Sequence, residues 1–293
     1  MKIDLHCHTK SIKQGDGCNR NVTPETFREK VINADIKILA ITNHNAFDFV
    51  QYVELQNAVK DSCQVWPGIE IDVKGSTGSK FHLIVVANPN NVEMFNSKIQ
   101  QLYNDKNIET HQLSCEEIYN CLNSCDVIYI PHLHKKPEIS NEDYKKLVSL
   151  VGDSSRVFGE PSDNRSLGVF ANYNYNVIIG SDVKDWKNYE NSTFAELKLP
   201  VENFQQFCLL SKRDDTVVDT LLNKKQSYNV KGKPHKSVSL SLKIFNDVNI
   251  IFGQKGTGKS EILNSLYNDL LSQGLSCSKY TGSEKDDEIN ALL

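Results

Sequence analysis

No apolar run in the 293-residue sequence approaches the ~20 residues that a membrane-spanning helix needs. The first residues enter a strand-like pattern with no basic and apolar leader before it, so a cytoplasmic protein is expected. The eight cysteines (7, 18, 63, 115, 121, 125, 208 and 277) are scattered with no CxxC pair, and a disulfide framework is not expected. There is no surplus of positive charge: a net charge of −4 gives no general attraction to phosphate backbones. The exception is local, since Lys212 to Lys259 carries ten Lys or Arg against four Asp or Glu, which fits a phosphate-facing patch or a solvated linker. Internal repeats and low-complexity segments are also missing.

What is present is enough apolar material, 39% of residues, for a sizeable core. "KIDLHCHT" alternates Ile3 and Leu5 with polar neighbours and reads as a strand, which places His6 and His8 on one face and Cys7 on the other. Two imidazoles on one face begin a metal site, or else hydrogen-bond at a strand end. Next, "TPETFREKVINADI" reads as a helix with Thr23 as N-cap and Pro24 at its first position, followed by the buried strand "IKILAIT". This is a βαβ unit. Helices around 46–60, 92–105, 114–124 and 141–150 alternate with strands "CQVWPGIEIDV", "FHLIVVA", "DVIYI", "RVFGE" and "NVIIG", two of which follow one another without a helix. The pattern implies an α/β sheet or barrel. The texture changes near Thr193, where a strand, one or two helices and a Lys/Gly/Pro connector follow. A second strand pair, "VSLSLKIF" and "VNIIF", precedes "GQKGTGKS" and an amphipathic helix from Glu261.

In α/β barrels, reactive groups sit just after the carboxyl ends of strands. Ionisable residues recur there: Asp16 in the first loop, His44 after "KILAIT", Glu70 in "PGIEID", His82 in "FHLIVVA", His132 after "DVIYI", Glu160 after "RVFGE" and Asp182 after "NVIIG". So many are hard to explain as satisfied core polar groups.

The ordered series "HCH" (6–8), "DG" (16–17), "TNH" (42–44), "GIE" (68–70), "FHL" (81–83), "PH" (131–132) and "GSD" (180–182) resembles the PHP family of polymerase and histidinol phosphatase domains. The resemblance implies a distorted (β/α)7 barrel with a multinuclear centre that hydrolyses phosphoesters through a metal-bound hydroxide. Carried over, His6, His8, Glu70 and Asp182 would hold one ion, and Glu70 would bridge to a second held by His82 and His132. Asp16 and His44 would hold a third. Mixed imidazole and carboxylate donors suit Zn, Mn or Fe, and the expected cofactors are two or three such ions. Glu70 and Asp182 would be central to catalysis, with Lys184 and Arg165 gripping phosphate; Lys135 fits the same role or an ordinary surface cation. The chain departs from the family at Asn43, where Asp is usual, and at Lys184, where His is usual. A lysine ammonium cannot ligate a metal, and Lys184 is expected beside Asp16, in the place of the missing cation.

The pattern G-x-x-x-x-G-K-S at Gly253–Ser260, between a strand and a helix, predicts a phosphate-binding loop. Gly253, Gly256 and Gly258 would shape it, Lys259 would reach the terminal phosphates of ATP, and Ser260 would hold Mg²⁺. Only 33 residues follow Ser260 (293 − 260), so the ATPase fold is expected to be incomplete here. The loop resembles that of ABC- and SMC-type ATPases, and the chain resembles the N-terminal part of TrlF-like proteins. The expected organisation is 1–195, the PHP phosphoesterase domain; 196–235, a connecting segment; and 236–293, the start of a P-loop ATPase domain. The implied activity is a nuclease or nucleotide phosphatase acting on DNA, RNA or nucleotides, coupled to an ATPase through which longer chains would self-associate, with no membrane partner. A small-molecule phosphomonoesterase and a catalytically degenerate scaffold are the alternatives.

Overall fold

The computed structural model describes residues 1–173, 175–212, 227–245, 249–274 and 277–279. Contacts divide the chain into two compact units, Met1–Lys212 and Arg213–Leu293.

The first unit opens on β1 (Lys2–Cys7), α1 (Pro24–Asn33), β2 (Ile36–Ile41), α2 (Phe49–Val59) and β3 (Gln64–Lys74). Thr23 caps α1 by accepting from Thr26 N at 3.3 Å, with Pro24 at the first position, where its missing N–H costs nothing. Strands β1, β2 and β3 pair in parallel. β4 (Lys80–Ala87) then folds back antiparallel on β3, the expected strand pair without a helix. After α3 (Val92–Leu102) and α4 (Cys115–Leu122), β5 (Val127–Pro131) pairs antiparallel with β4. α5 (Asn141–Val151), α6 (Asn164–Asn172), β6 (Ala195–Glu196) and α7 (Phe204–Ser211) complete the unit. The sheet order β5-β4-β3-β2-β1-β6 describes a curled half-barrel of mixed α/β type, in agreement with the expected PHP barrel.

Two expected strands are less regular than their sequences suggest. "RVFGE" and "NVIIG" form only isolated bridges, at Val157, Glu160 and Val177. Their backbone still carries hydrogen bonds from β5 onward: Glu160 N donates to Pro131 O at 2.9 Å, Ile178 N to Gly159 O at 3.1 Å, and Asp182 N to His6 O at 2.8 Å. The bonds thus return to β1. α6, between these two segments, has no counterpart among the expected helices; the N-cap Asp163, accepting from Arg165 N and Ser166 N, starts it.

Ile3, Leu5, Ile38, Ala40, Trp66, Ile84, Ile128, Phe158 and Ile178 form one buried cluster with Phe204 and Phe207 of α7. The Trp66 ring meets Phe204 and Phe207 edge-on at 5.1 and 5.6 Å. Helices α3, α4 and α5 cover a second cluster, and α1 and α2 a third that includes Cys7. All eight cysteines are free.

In the second unit, β7 (Ser227–His235) and β8 (Val238–Phe245) make an antiparallel ribbon, and α8 (Lys259–Ser272) packs on β7. This corrects the expected strand pair: "VSLSLKIF" pairs with "SYNVKGKPH", expected as connector, while Asn249–Phe252 of "VNIIF" forms no strand. Pro234 lies near the turn of a two-stranded ribbon, where a missing N–H is tolerated. Among the described residues no helix is long and apolar enough to cross a membrane.

Candidate metal centre

Glu70, in the middle of β3 and 2% exposed, is the hub. Its Oε2 lies 2.6 Å from His44 Nε2, 3.2 Å from His8 Nε2 and 3.4 Å from His6 Nε2; its Oε1 lies 2.7 Å from His82 Nδ1 and 3.3 Å from His132 Nε2. Asp182 Oδ1 is 3.4 Å from His8 Nε2 and 3.8 Å from His6 Nε2. Three groups of donors are close enough to share an ion: His6, His8 and Asp182; His6, Glu70 and His132; His8, His44 and Glu70. The structure therefore brings together His6, His8, His44, Glu70, His82, His132 and Asp182.

Backbone geometry sets these positions. His6 and His8, two residues apart, share a side, with ring centroids 5.0 Å apart, and the pairing of β1 with β2 shifts register between Asp4 and Cys7. Asp182 holds a left-handed φ of 44°. Gly180 approaches β1 so closely that a Cβ there would sit 2.4 Å from His6 Cβ. Buried Asp4 ties the same junction, accepting from Ser181 N at 3.0 Å and from the Tyr189 hydroxyl at 2.9 Å.

Carboxylates stand behind the histidines. Both Glu160 oxygens accept from His6 Nδ1 at 2.9 Å, and Asp16 Oδ1 accepts from His44 Nδ1 at 2.7 Å. Asp72 Oδ1 lies 3.1 Å from His82 Nε2, while its Oδ2 takes the Lys13 ammonium and Asn45 Nδ2. In each case the other ring nitrogen faces the Glu70 side, the arrangement by which a carboxylate fixes the tautomer of a metal-binding imidazole. Asp72 and Arg20 have no place in the expected site. Asp72 carries a signal, a carboxylate two residues along the strand from Glu70 and therefore on its face; Arg20 carries none.

Charge is concentrated here. Burial depresses the imidazolium form of His6, yet Glu160, with Glu70 and Asp182, outweighs it and lifts the pKa to about 10, while burial lowers that of His8. His6 Nε2 lies 3.1 Å from His8 Nε2. Burial lowers His82 as well, but Asp72 and Glu70 carry it up to about 9. Glu70 and Asp182 would be raised by burial, but the His6 charge holds both well below the carboxylate range.

These donors fit divalent cations. Among the described residues, buried Glu70 Oε2, His8 Nδ1 and both ring nitrogens of His132 have no hydrogen-bond partner, although His44 Nε2 and Glu160 Oε2 lie within 2.6 and 3.2 Å of two of these atoms. Such atoms are close in distance but misaligned for a hydrogen bond. Glu70 Oε2 and His132 Nε2 lie within the group of donors around Glu70, where a cation satisfies them and an apolar core does not.

Lys135 Nζ lies 3.0 Å from Glu160 Oε1 and 3.3 Å from Asp182 Oδ2, so it belongs to the centre and not to the open surface. It borders a cleft of about 460 Å³ with Ser162, Ser181, Asp182, Lys184 and Asn188. Arg165 is exposed at the start of α6 and does not line that cleft. Lys184 is exposed on the cleft wall; the cation beside Asp16 is Arg20, a correction to the expected neighbour.

At the second motif, Gly256 and Gly258 take left-handed φ values of 87° and 79°, which favour glycine. Lys259 Nζ donates to Gly253 O at 2.8 Å and Gln254 O at 2.7 Å, and Ser260 lies in the first turn of α8.

A family model, the PHP domain, matches residues 4–207. Among solved structures, a candidate metal-dependent phosphoesterase from Bifidobacterium adolescentis is similar at 15% identity, with a TM-score of 0.47 over 75% of this chain and 95% of that one. No curated protein matches.

Proposed function

The chain belongs to the PHP family, and we propose that its first unit is a metal-dependent phosphoesterase. The observation that carries the reading is the convergence of five histidines on Glu70, with Asp182 beside two of them and buried polar atoms that no donor among the described residues satisfies. His6, His8 and Asp182 would hold one divalent ion and His132 with His82 a second, Glu70 lying between them. Such a pair supplies Lewis acidity and an activated water for attack at phosphorus. The protein's own part is positioning: Glu160 and Asp16 orient His6 and His44 through their Nδ1 protons. Lys135 and Lys184, on the cleft beside Asp182, offer donors to phosphate oxygens.

We read the substrate as a nucleotide or nucleic-acid phosphoester because the same chain carries the Gly253–Ser260 pattern. The left-handed glycines and the Lys259 ammonium folded over the loop support nucleotide binding there. Coupling to an SMC-like ATPase in a longer chain is part of the same proposal. The test is elemental analysis of the purified chain, with turnover measured on p-nitrophenyl phosphate, its bis ester, nucleotides, single-stranded DNA and RNA. Bound metal with phosphoester turnover is expected; a chain that binds no divalent ion and hydrolyses none of these would favour the scaffold.

A further inference from the structure

A third ion at Asp16 and His44, which the family resemblance implies, does not fit the donors around those residues. Asp16 commits both oxygens to the chain itself: Oδ2 accepts from Ile12 N and Lys13 N at 2.9 Å each, and Oδ1 takes Arg20 Nη1 and His44 Nδ1 at 2.7 Å each. His44 presents Nδ1 to Asp16 at 2.7 Å and Nε2 to Glu70 at 2.6 Å, so it turns its second ring nitrogen to the Glu70 side and none to a further ion beside Asp16.

Arg20 lies between the side chains through which a third ion would be held. It is 7% exposed, its Nη1 is 3.0 Å from His44 Nδ1, and its Nη2 is 3.8 Å from Asp182 Oδ1. No ion pair joins Lys184 to Asp16 among the described residues. A guanidinium is permanently charged, planar and a donor only, so it neutralises Asp16 and faces Asp182 without needing a ligand of its own.

We propose that Arg20 is a resident cation in the place of a third metal ion, so that the centre holds two ions and one guanidinium. The proposal rests on the metal-centre reading above. By charge and volume Arg20 excludes a divalent ion from the Asp16 side. It supplies fixed positive charge near the substrate phosphate and cannot activate water, leaving that work to the ions at Glu70.

The test counts Mn²⁺ per full-length chain, by elemental analysis after gel filtration and by calorimetric titration. Wild type should hold two ions. Arg20→Ala, and Arg20→Gln as the less disruptive change, should each hold three, Arg20→Lys should remain at two, and Arg20→Ala with Asp16→Ala should return to two. Three ions in wild type, or two in both neutral variants with native circular dichroism, would overturn the proposal and leave the phosphoesterase reading standing. A wild-type chain that binds no Mn²⁺ would remove the reading beneath it.

Discussion

The same strands build both a dry end and an ionisable end. β1 runs from Ile3 and Leu5 to His6, with His8 just past its end, β3 from Trp66 to Glu70 and Asp72, and β5 from Ile128 and Ile130 to its end just before His132; the two irregular segments run from Phe158 to Glu160 and from Ile178 to Asp182. At one end Phe204 and Phe207 of α7 complete an apolar cluster with Trp66. At the other, buried carboxylates and imidazoles meet with unsatisfied lone pairs. Stability is drawn from the first end and chemistry from the second, because a cluster of buried ionisable groups is costly until something pairs with it.

The sharpest break of this division is Glu70→Gln. It should remove detectable phosphoester turnover and lower metal content while the chelated protein still folds, as read by circular dichroism; unaltered turnover would sink the two-ion centre. Phe204→Ala should do the reverse, costing about 3–5 kcal/mol in denaturant unfolding, as expected for a deleted buried aromatic, with metal stoichiometry unaltered in the fraction that remains folded. Glu160→Gln and Asp72→Asn should each weaken metal affinity about 10–100-fold, the usual effect of losing a carboxylate behind a ligand, measurable by competition with a coloured chelator.

Protons compete for the same atoms. His6 and His82 hold theirs up to about pH 10 and 9, so an ion must displace protons as it binds, and affinity should rise with pH between 6 and 9 by up to about tenfold per unit for each proton released. A flat profile would mean that these imidazoles do not ligate. The smallest effect belongs to Lys259→Ala, which should leave phosphoester turnover unchanged; ATP turnover by this chain should already be slight, since robust hydrolysis abolished by this variant would mean that a complete ATPase site exists.

The strand ends were legible because a period of two and the loop after each strand are local features: they placed His6, His8, Glu70, His132 and Asp182 near one another without tertiary information. The His82 position followed from the strand turned back on β3. Arg20 was not legible, since a loop arginine four residues beyond Asp16 looks like any surface cation until the first loop folds over His44. Lys184 drew attention through its place in the pattern, yet its side chain is exposed. "RVFGE" and "NVIIG" read as strands from their apolar content, but Gly159 packs against the Leu133 side chain and Gly180 against β1, and only isolated bridges form. "SYNVKGKPH" was hidden by its glycine and proline, which a two-stranded ribbon tolerates.

Gly180 also acts as a ruler. The distance between the segment carrying Asp182 and the strand carrying His6 and His8 is set by a hydrogen atom where every other residue would put a carbon. One added methyl would act as a wedge, driving Asp182 away from both histidines while leaving every donor chemically intact. A centre can therefore be lost at a position that offers no donor side chain, and Gly180→Ala would do by spacing what Glu70→Gln does by charge.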